Sequence, residues 1–132
     1  MNPLGKSFKF IILITVLVFT ACETSVYEPE PIEEEVSFRF ELMPIMGRSC
    51  ASCHIEPDHP APTPLAPASV AYETIMGGGY IIPGNAEASL WYKRLIGDPE
   101  IRSGRTMPPA EKLPQHEIEL FKAWIEQGAQ FN

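Results

Sequence analysis

The chain has 132 residues, of which 45% are hydrophobic and 20% charged, enough for one folded domain and a tail but not for two independent cores. Ten Lys+Arg against 17 Asp+Glu give a net charge of −7, which disfavours nucleic-acid binding driven by backbone charge. Three cysteines are too few for a disulfide-rich scaffold, and the 14 prolines gather in two places that must be loop or linker.

In chain order, the first element is an export signal. Lys6 and Lys9 precede an apolar run from Phe10 to Phe19, broken only by Thr15. The run is about half the roughly 20 residues a helix needs to span a bilayer. A basic start, a short apolar stretch and a small-residue exit describe a secretory signal peptide over 1–21. The exit Phe19-Thr20-Ala21-Cys22 resembles the lipobox of bacterial lipoproteins, although Phe19 stands where Leu is usual. The resemblance implies cleavage before Cys22, a diacylglycerol thioether on its sulfur and an acylated amino terminus, enough for stable anchoring to a bacterial membrane. The alternatives are an uncleaved anchor, or ordinary cleavage that leaves Cys22 a free thiol. The protein is thus expected to be exported and lipid-anchored, facing the periplasm or the cell surface.

Residues 22–35 follow as an acidic tether. Segment 23–35 holds six Glu, two Pro and no base, and like charges with Pro favour an extended, solvated spacer. Without it the remaining domain, 36–132, carries a net charge of only −3. The overall acidity therefore says little about the domain's partner.

The domain reads as all-α, with about four short helices and long Pro-rich loops. A first helix is expected from Ser37 to about Ala51, with Pro44 kinking it or marking its true first turn. Residues 55–68 hold five prolines and are expected to be irregular. Ser69 is the expected cap of a short helix ending at Gly77-Gly78-Gly79. Asn85 is the expected cap of a third helix through Leu90, Trp91 and Leu95. The last helix, Gln115 to Gln127, is expected to present Ile118, Phe121, Trp124 and Ile125 on its apolar face, with Trp124 packed on the first helix, and to stop at Gly128. No repeat and no strand pattern is evident.

Chemistry enters with Cys50-Ala51-Ser52-Cys53-His54, the C-x-x-C-H signature of c-type haem attachment. Cysteines at i and i+3 share one face of a helical turn, so each thiol can add to one haem vinyl group while His54 reaches the iron from the proximal side. The alternative for Trp124, instead of packing on the first helix, is to approach this haem. Three other readings compete. A thioredoxin-like dithiol needs a βαβ frame that the pattern lacks. A zinc site would combine Cys50 and Cys53 with two of His54, His59 and His116, but His54 adjoins Cys53 too closely for usual zinc spacing. A Cys50–Cys53 disulfide would close a very tight loop.

A sixth iron ligand is sought among the domain's methionines. Met43 and Met46 share the first helix with the attachment motif, and Met76 reads as core. Met107 lies in Gly104-Arg105-Thr106-Met107-Pro108-Pro109, where two prolines fix the backbone. A Met ligand would favour ferrous iron and raise the potential. His59 and His116 are the reserve ligands. Arg94, Arg102, Arg105 and Lys112 gather near this loop, as haem-propionate ligands, a surface for an acidic partner, or a solvated face.

The ordered series of these segments resembles the small cytochrome c domains called planctomycete-type: Phe40-Glu41-Leu42-Met43-Pro44-Ile45-Met46, then Cys50-x-x-Cys53-His54, Pro83-Gly84-Asn85-Ala86-Glu87-Ala88-Ser89-Leu90, Met107-Pro108-Pro109 and Trp124-Ile125-Glu126-Gln127-Gly128-Ala129. It covers about 36–132. The departures are Ile55, where such domains often have Gly, and the Pro-rich 57–67 stretch. The resemblance implies a class I-like all-α cytochrome c fold around one covalent haem c, first and last helices crossing beside it, and His54/Met107 ligation. With both axial positions filled, the expected role is a mono-haem electron carrier rather than an enzyme, exchanging electrons with redox partner proteins. Two alternatives stand beside it. One is a peroxidase-like haem enzyme with a labile distal Met, and the other a haem-bearing accessory subunit of a larger oxidoreductase.

Overall fold

The computed structural model describes residues 30–54, 63–101 and 106–132. The expectations for the signal segment and Cys22, for Ile55 and His59, and for Arg102 and Arg105 lie outside the described residues. The all-α expectation holds: there are four α-helices and, among the described residues, no strand. None of these helices is long and apolar enough to cross a membrane.

The first helix is built in two registers. Ser37 caps it, its side chain accepting from the Phe40 N–H at 3.2 Å. A π-helical turn over Phe38–Leu42 runs directly into α1, Met43–Ser49. Pro44 sits in the first turn of α1, so it marks a true helical start. Proline has no N–H to give and its ring excludes the carbonyl four residues back. The widened turn lies just before that position, where a helix can absorb the mismatch.

Two expected caps are corrected. Helix α2 spans Ala68–Gly77, and its cap is Pro67, with Ser69 already inside the helix. The ring of Pro67 presets its φ, observed at −68°, and that is enough to start the turn without a side-chain cap. Helix α3 spans Leu90–Ile96 and starts at Ser89 rather than Asn85. Asn85 instead closes a separate turn, accepting from the Ala88 N–H at 3.0 Å. Ser89 is fully buried, and its hydroxyl binds the Ile82 N–H at 2.9 Å and the Asn85 carbonyl at 2.8 Å. That hydroxyl fixes the 82–89 turn and holds Asn85 out of the helix.

Helix α4, Gln115–Glu126, matches its expected range within one residue. Ile118, Phe121, Trp124 and Ile125 are all buried. At its end Gly128 takes φ +99°, letting the Gly128 and Ala129 N–H groups reach the Ile125 and Trp124 carbonyls at 3.0 and 2.9 Å. Trp124 packs on Phe38, with ring centroids 5.2 Å apart, so the first and last helices meet through these rings as expected. Tyr72 of α2 joins them edge-on to Phe38 at 5.4 Å, and Phe131 stacks on Tyr72 at 4.9 Å.

The two ends of the described chain are tied together here. The Gln127 side chain accepts from the Val36 N–H at 2.8 Å and donates to the Glu34 carbonyl at 2.8 Å. Asn132 accepts from the Phe38 N–H at 2.8 Å and donates to the Glu35 carboxylate at 2.9 Å. Residues 32–35, expected to belong to the solvated spacer, are therefore strapped to the body, and Ile32 packs on the core.

Candidate functional site

Helix α1 leads into the Cys50-x-x-Cys53-His54 segment. Its last carbonyls carry the chain into a turn in which the Cys50 N–H binds the Met46 carbonyl at 2.9 Å and the Cys53 N–H binds the Cys50 carbonyl at 3.1 Å. Cys50 and Cys53 thus flank one turn, as an i, i+3 pair requires. His54 is held in the same turn by its N–H on the Cys50 and Ala51 carbonyls at 3.2 and 3.1 Å, and its own carbonyl accepts from the Leu65 N–H at 2.7 Å.

Both thiols are free, Cys50 half-buried and Cys53 exposed. Burial pushes the Cys50 thiol up to about 11, partly opposed by the Arg48 guanidinium. A disulfide-exchange nucleophile needs the opposite, a lowered thiol pKa. The dithiol reading thus lacks its βαβ frame, and burial moves the Cys50 thiol away from what such a nucleophile needs. The disulfide is not formed, and among the described residues no three His, Cys, Asp or Glu side chains gather as a metal-binding set.

The Met107 loop is seated on the end of α3. The Met107 N–H binds the Arg94 carbonyl at 3.0 Å. Gly97 closes α3 at φ +74°, and a Cβ built there would stand 3.0 Å from the Thr106 hydroxyl. The glycine serves both the left-handed turn and the close approach of the loop. Met107 is half-buried, and a cis peptide bond joins it to Pro108. Of the other methionines, Met46 is fully buried in the core and Met43 and Met76 pack against it. The reserve ligand His116 has a 75% exposed side chain and lies 3.7 Å from the Glu117 carboxylate.

The end of α1 and the segment after Met107 line one cleft of about 370 Å³, to which Cys50, Cys53, His54 and Met107 do not themselves contribute. Ser49, next to Cys50, lines it with Arg48, and Pro108, next to Met107, lines it with Lys112. Glu117, in the first turn of α4, completes the wall and forms an ion pair with Arg48. This pair joins segments 69 residues apart. Sequence reasoning missed it; the signal was a glutamate beside Ile118 on the apolar side of its helix. Two buried polar atoms in this half lack a hydrogen-bond partner among the described residues: the indole nitrogen of Trp91, on α3, and Oε2 of Glu117. The free thiol pair and His54, held in one turn, fit a prosthetic group that offers two vinyl carbons and an iron that takes an imidazole ligand. On this donor chemistry the residues present fit haem.

No family model and no curated protein matches this sequence. One solved structure is similar: hydrazine synthase of Kuenenia stuttgartiensis, with a TM-score of 0.59 and 25% sequence identity. The match covers 73% of this chain and 16% of that one. The fold here thus recurs as a small part of a much longer enzyme chain.

Proposed function

We propose that this chain is a mono-haem c-type cytochrome, an electron carrier held to a bacterial membrane through a lipid on Cys22. Cys50 and Cys53 are the two covalent attachment points, His54 the proximal iron ligand and Met107 the distal one. The observation that supports the reading is the pair of free thiols on one turn, with His54 in the same turn. When bound, haem supplies a one-electron ferric/ferrous couple.

The chain's own residues do the rest. Cys50 and Cys53 fix the group to the end of α1. Arg94 and Gly97 hold the Met107 backbone in place. His54 and Met107 would be the residues that hold the iron, and a group held by both would supply electron exchange with redox partner proteins rather than an open site for substrate. A second reading, a haem-bearing accessory module of a larger oxidoreductase, draws on the similarity to one part of a long enzyme chain. It is compatible with the first.

The test is the optical spectrum of protein matured with a haem-attachment system. The wild-type protein should hold haem through a denaturing gel and show the weak sulfur-to-iron band of ferric protein in the far red. Met107→Ala should erase the band, lower the potential and open the iron to cyanide. Wild-type protein that carries no covalent haem would overturn the reading. Haem that binds cyanide rapidly without the band would turn it toward a haem enzyme.

A further inference from the structure

Glu117 is a buried carboxylate that the function just proposed does not use. It is 8% exposed, and Oε2 has no hydrogen-bond partner among the described residues. An unpartnered buried carboxylate oxygen is destabilising, so its retention calls for a role. Its other oxygen binds Arg48. Arg48 is two residues before Cys50, so the two Cα atoms lie within about 7.6 Å. The pair also lines the same cleft as Ser49 and Pro108, the neighbours of Cys50 and Met107. It is therefore a pair of opposite charges beside the group that Cys50 anchors.

We propose that Arg48 and Glu117 set the electron affinity of this site by opposing electrostatic effects. The inference rests on the reading of Cys50 and Cys53 as haem-attachment points. Ferric iron carries one more positive charge than ferrous. The Glu117 carboxylate favours the ferric state and the Arg48 guanidinium the ferrous, and the intact pair nearly balances them. The balance is uneven in one respect. The Arg48 side chain is 53% exposed and that of Glu117 only 11%, so solvent screens the arginine more strongly.

Single substitutions therefore move the site in opposite directions. At a fixed ambient potential Glu117→Gln raises the ferrous/ferric ratio several-fold, as the loss of one weakly screened charge in a medium of effective dielectric constant about 20 requires. Arg48→Gln lowers the ratio, by about threefold because of screening. The double variant falls between them, and Arg48→Lys, which keeps the charge, leaves the ratio close to wild type. A purely structural ion pair behaves differently: breaking it from either side loosens the same joint and shifts the ratio the same way.

The experiment is spectroelectrochemical titration of the matured protein and these four variants, with haem staining on a denaturing gel run in parallel. Opposite shifts establish the inference. Equal shifts of one sign, or none, with covalent haem present, overturn it and leave the proposed function standing. A wild-type protein without covalent haem overturns both. Should Glu117→Gln fail to accumulate, Arg48→Gln and Arg48→Lys alone decide: a lowered ratio in the first and none in the second supports the inference, and any other pattern overturns it.

Discussion

The two ends of α4 are finished in different ways. At its C-terminal end the polypeptide satisfies itself. Gln127 and Asn132 close hydrogen bonds onto residues 34–38, the Trp124 indole donates to the Gln130 carbonyl at 2.8 Å, and the Tyr72 hydroxyl donates to the Ala129 carbonyl at 2.9 Å. Four aromatic rings interlock there, and Arg39 stacks over Phe131 at 4.4 Å. At the N-terminal end the wall is made of a proline-bounded loop, the end of α1 and the Arg48–Glu117 ion pair, and Glu117 keeps a buried oxygen without a hydrogen-bond partner among the described residues. The difference teaches where stability and chemistry are kept. The strapped end holds the helices together with ordinary packing, and so leaves the other end free to arrange reactive groups.

Three substitutions break or sharpen this contrast. Phe38 is fully buried at the centre of the strapped end. Phe38→Ala should cost about 3–5 kcal/mol of unfolding free energy, read by denaturant titration. A loss under 1 kcal/mol would mean that the strapped end is not the source of stability. Gln127→Ala removes the side chain that binds both the Val36 N–H and the Glu34 carbonyl. It should cost about 1–3 kcal/mol and expose the Glu33–Glu35 segment to a glutamate-specific protease. Unchanged protection would show that the strap is held by Asn132 alone.

The smallest effect is invisible at neutral pH. Tyr92 lies on the α3 side facing α4, and burial, together with the charges of Glu87, Glu119 and Glu126, pushes its hydroxyl up from 10.0 to about 12. A raised pKa means that the folded state binds this proton more tightly than the unfolded one. The stabilisation is full below pH 10 and is lost as pH rises through about 12. Tyr92→Phe should flatten this alkaline loss in a thermal-unfolding series, and an unchanged slope would assign the loss to other groups.

Much of this architecture can be read from the sequence where one residue type decides the local geometry. The spacing of Ile118, Phe121, Trp124 and Ile125 places one face of α4 in the core, and Gly128 ends it. Cys50, Cys53 and His54 are legible because their spacing alone puts them in one turn. Ser69 and Asn85 mislead because both have good capping side chains, whereas the fixed φ of Pro67 and the buried hydroxyl of Ser89 decide those starts. The strap is illegible for another reason. Glutamates and prolines read as solvated spacer, and the groups that hold them, Gln127 and Asn132, lie more than 90 residues away. The Arg48–Glu117 joint escapes notice on the same grounds: only the place of Glu117 beside Ile118 hints at burial, and its partner lies 69 residues away.

The strap also defines a mechanical load path. Tension applied through the N-terminal side of the chain enters the body at residues 32–38 and meets the amides of Gln127 and Asn132 first. From there it passes into the Phe38–Trp124 stack and the end of α4. Cys50 to His54 and the Met107 loop lie off this line. A pull on the N-terminal side of residues 32–38 is therefore borne by the aromatic end of the molecule, and the turn that carries the two thiols is mechanically shielded.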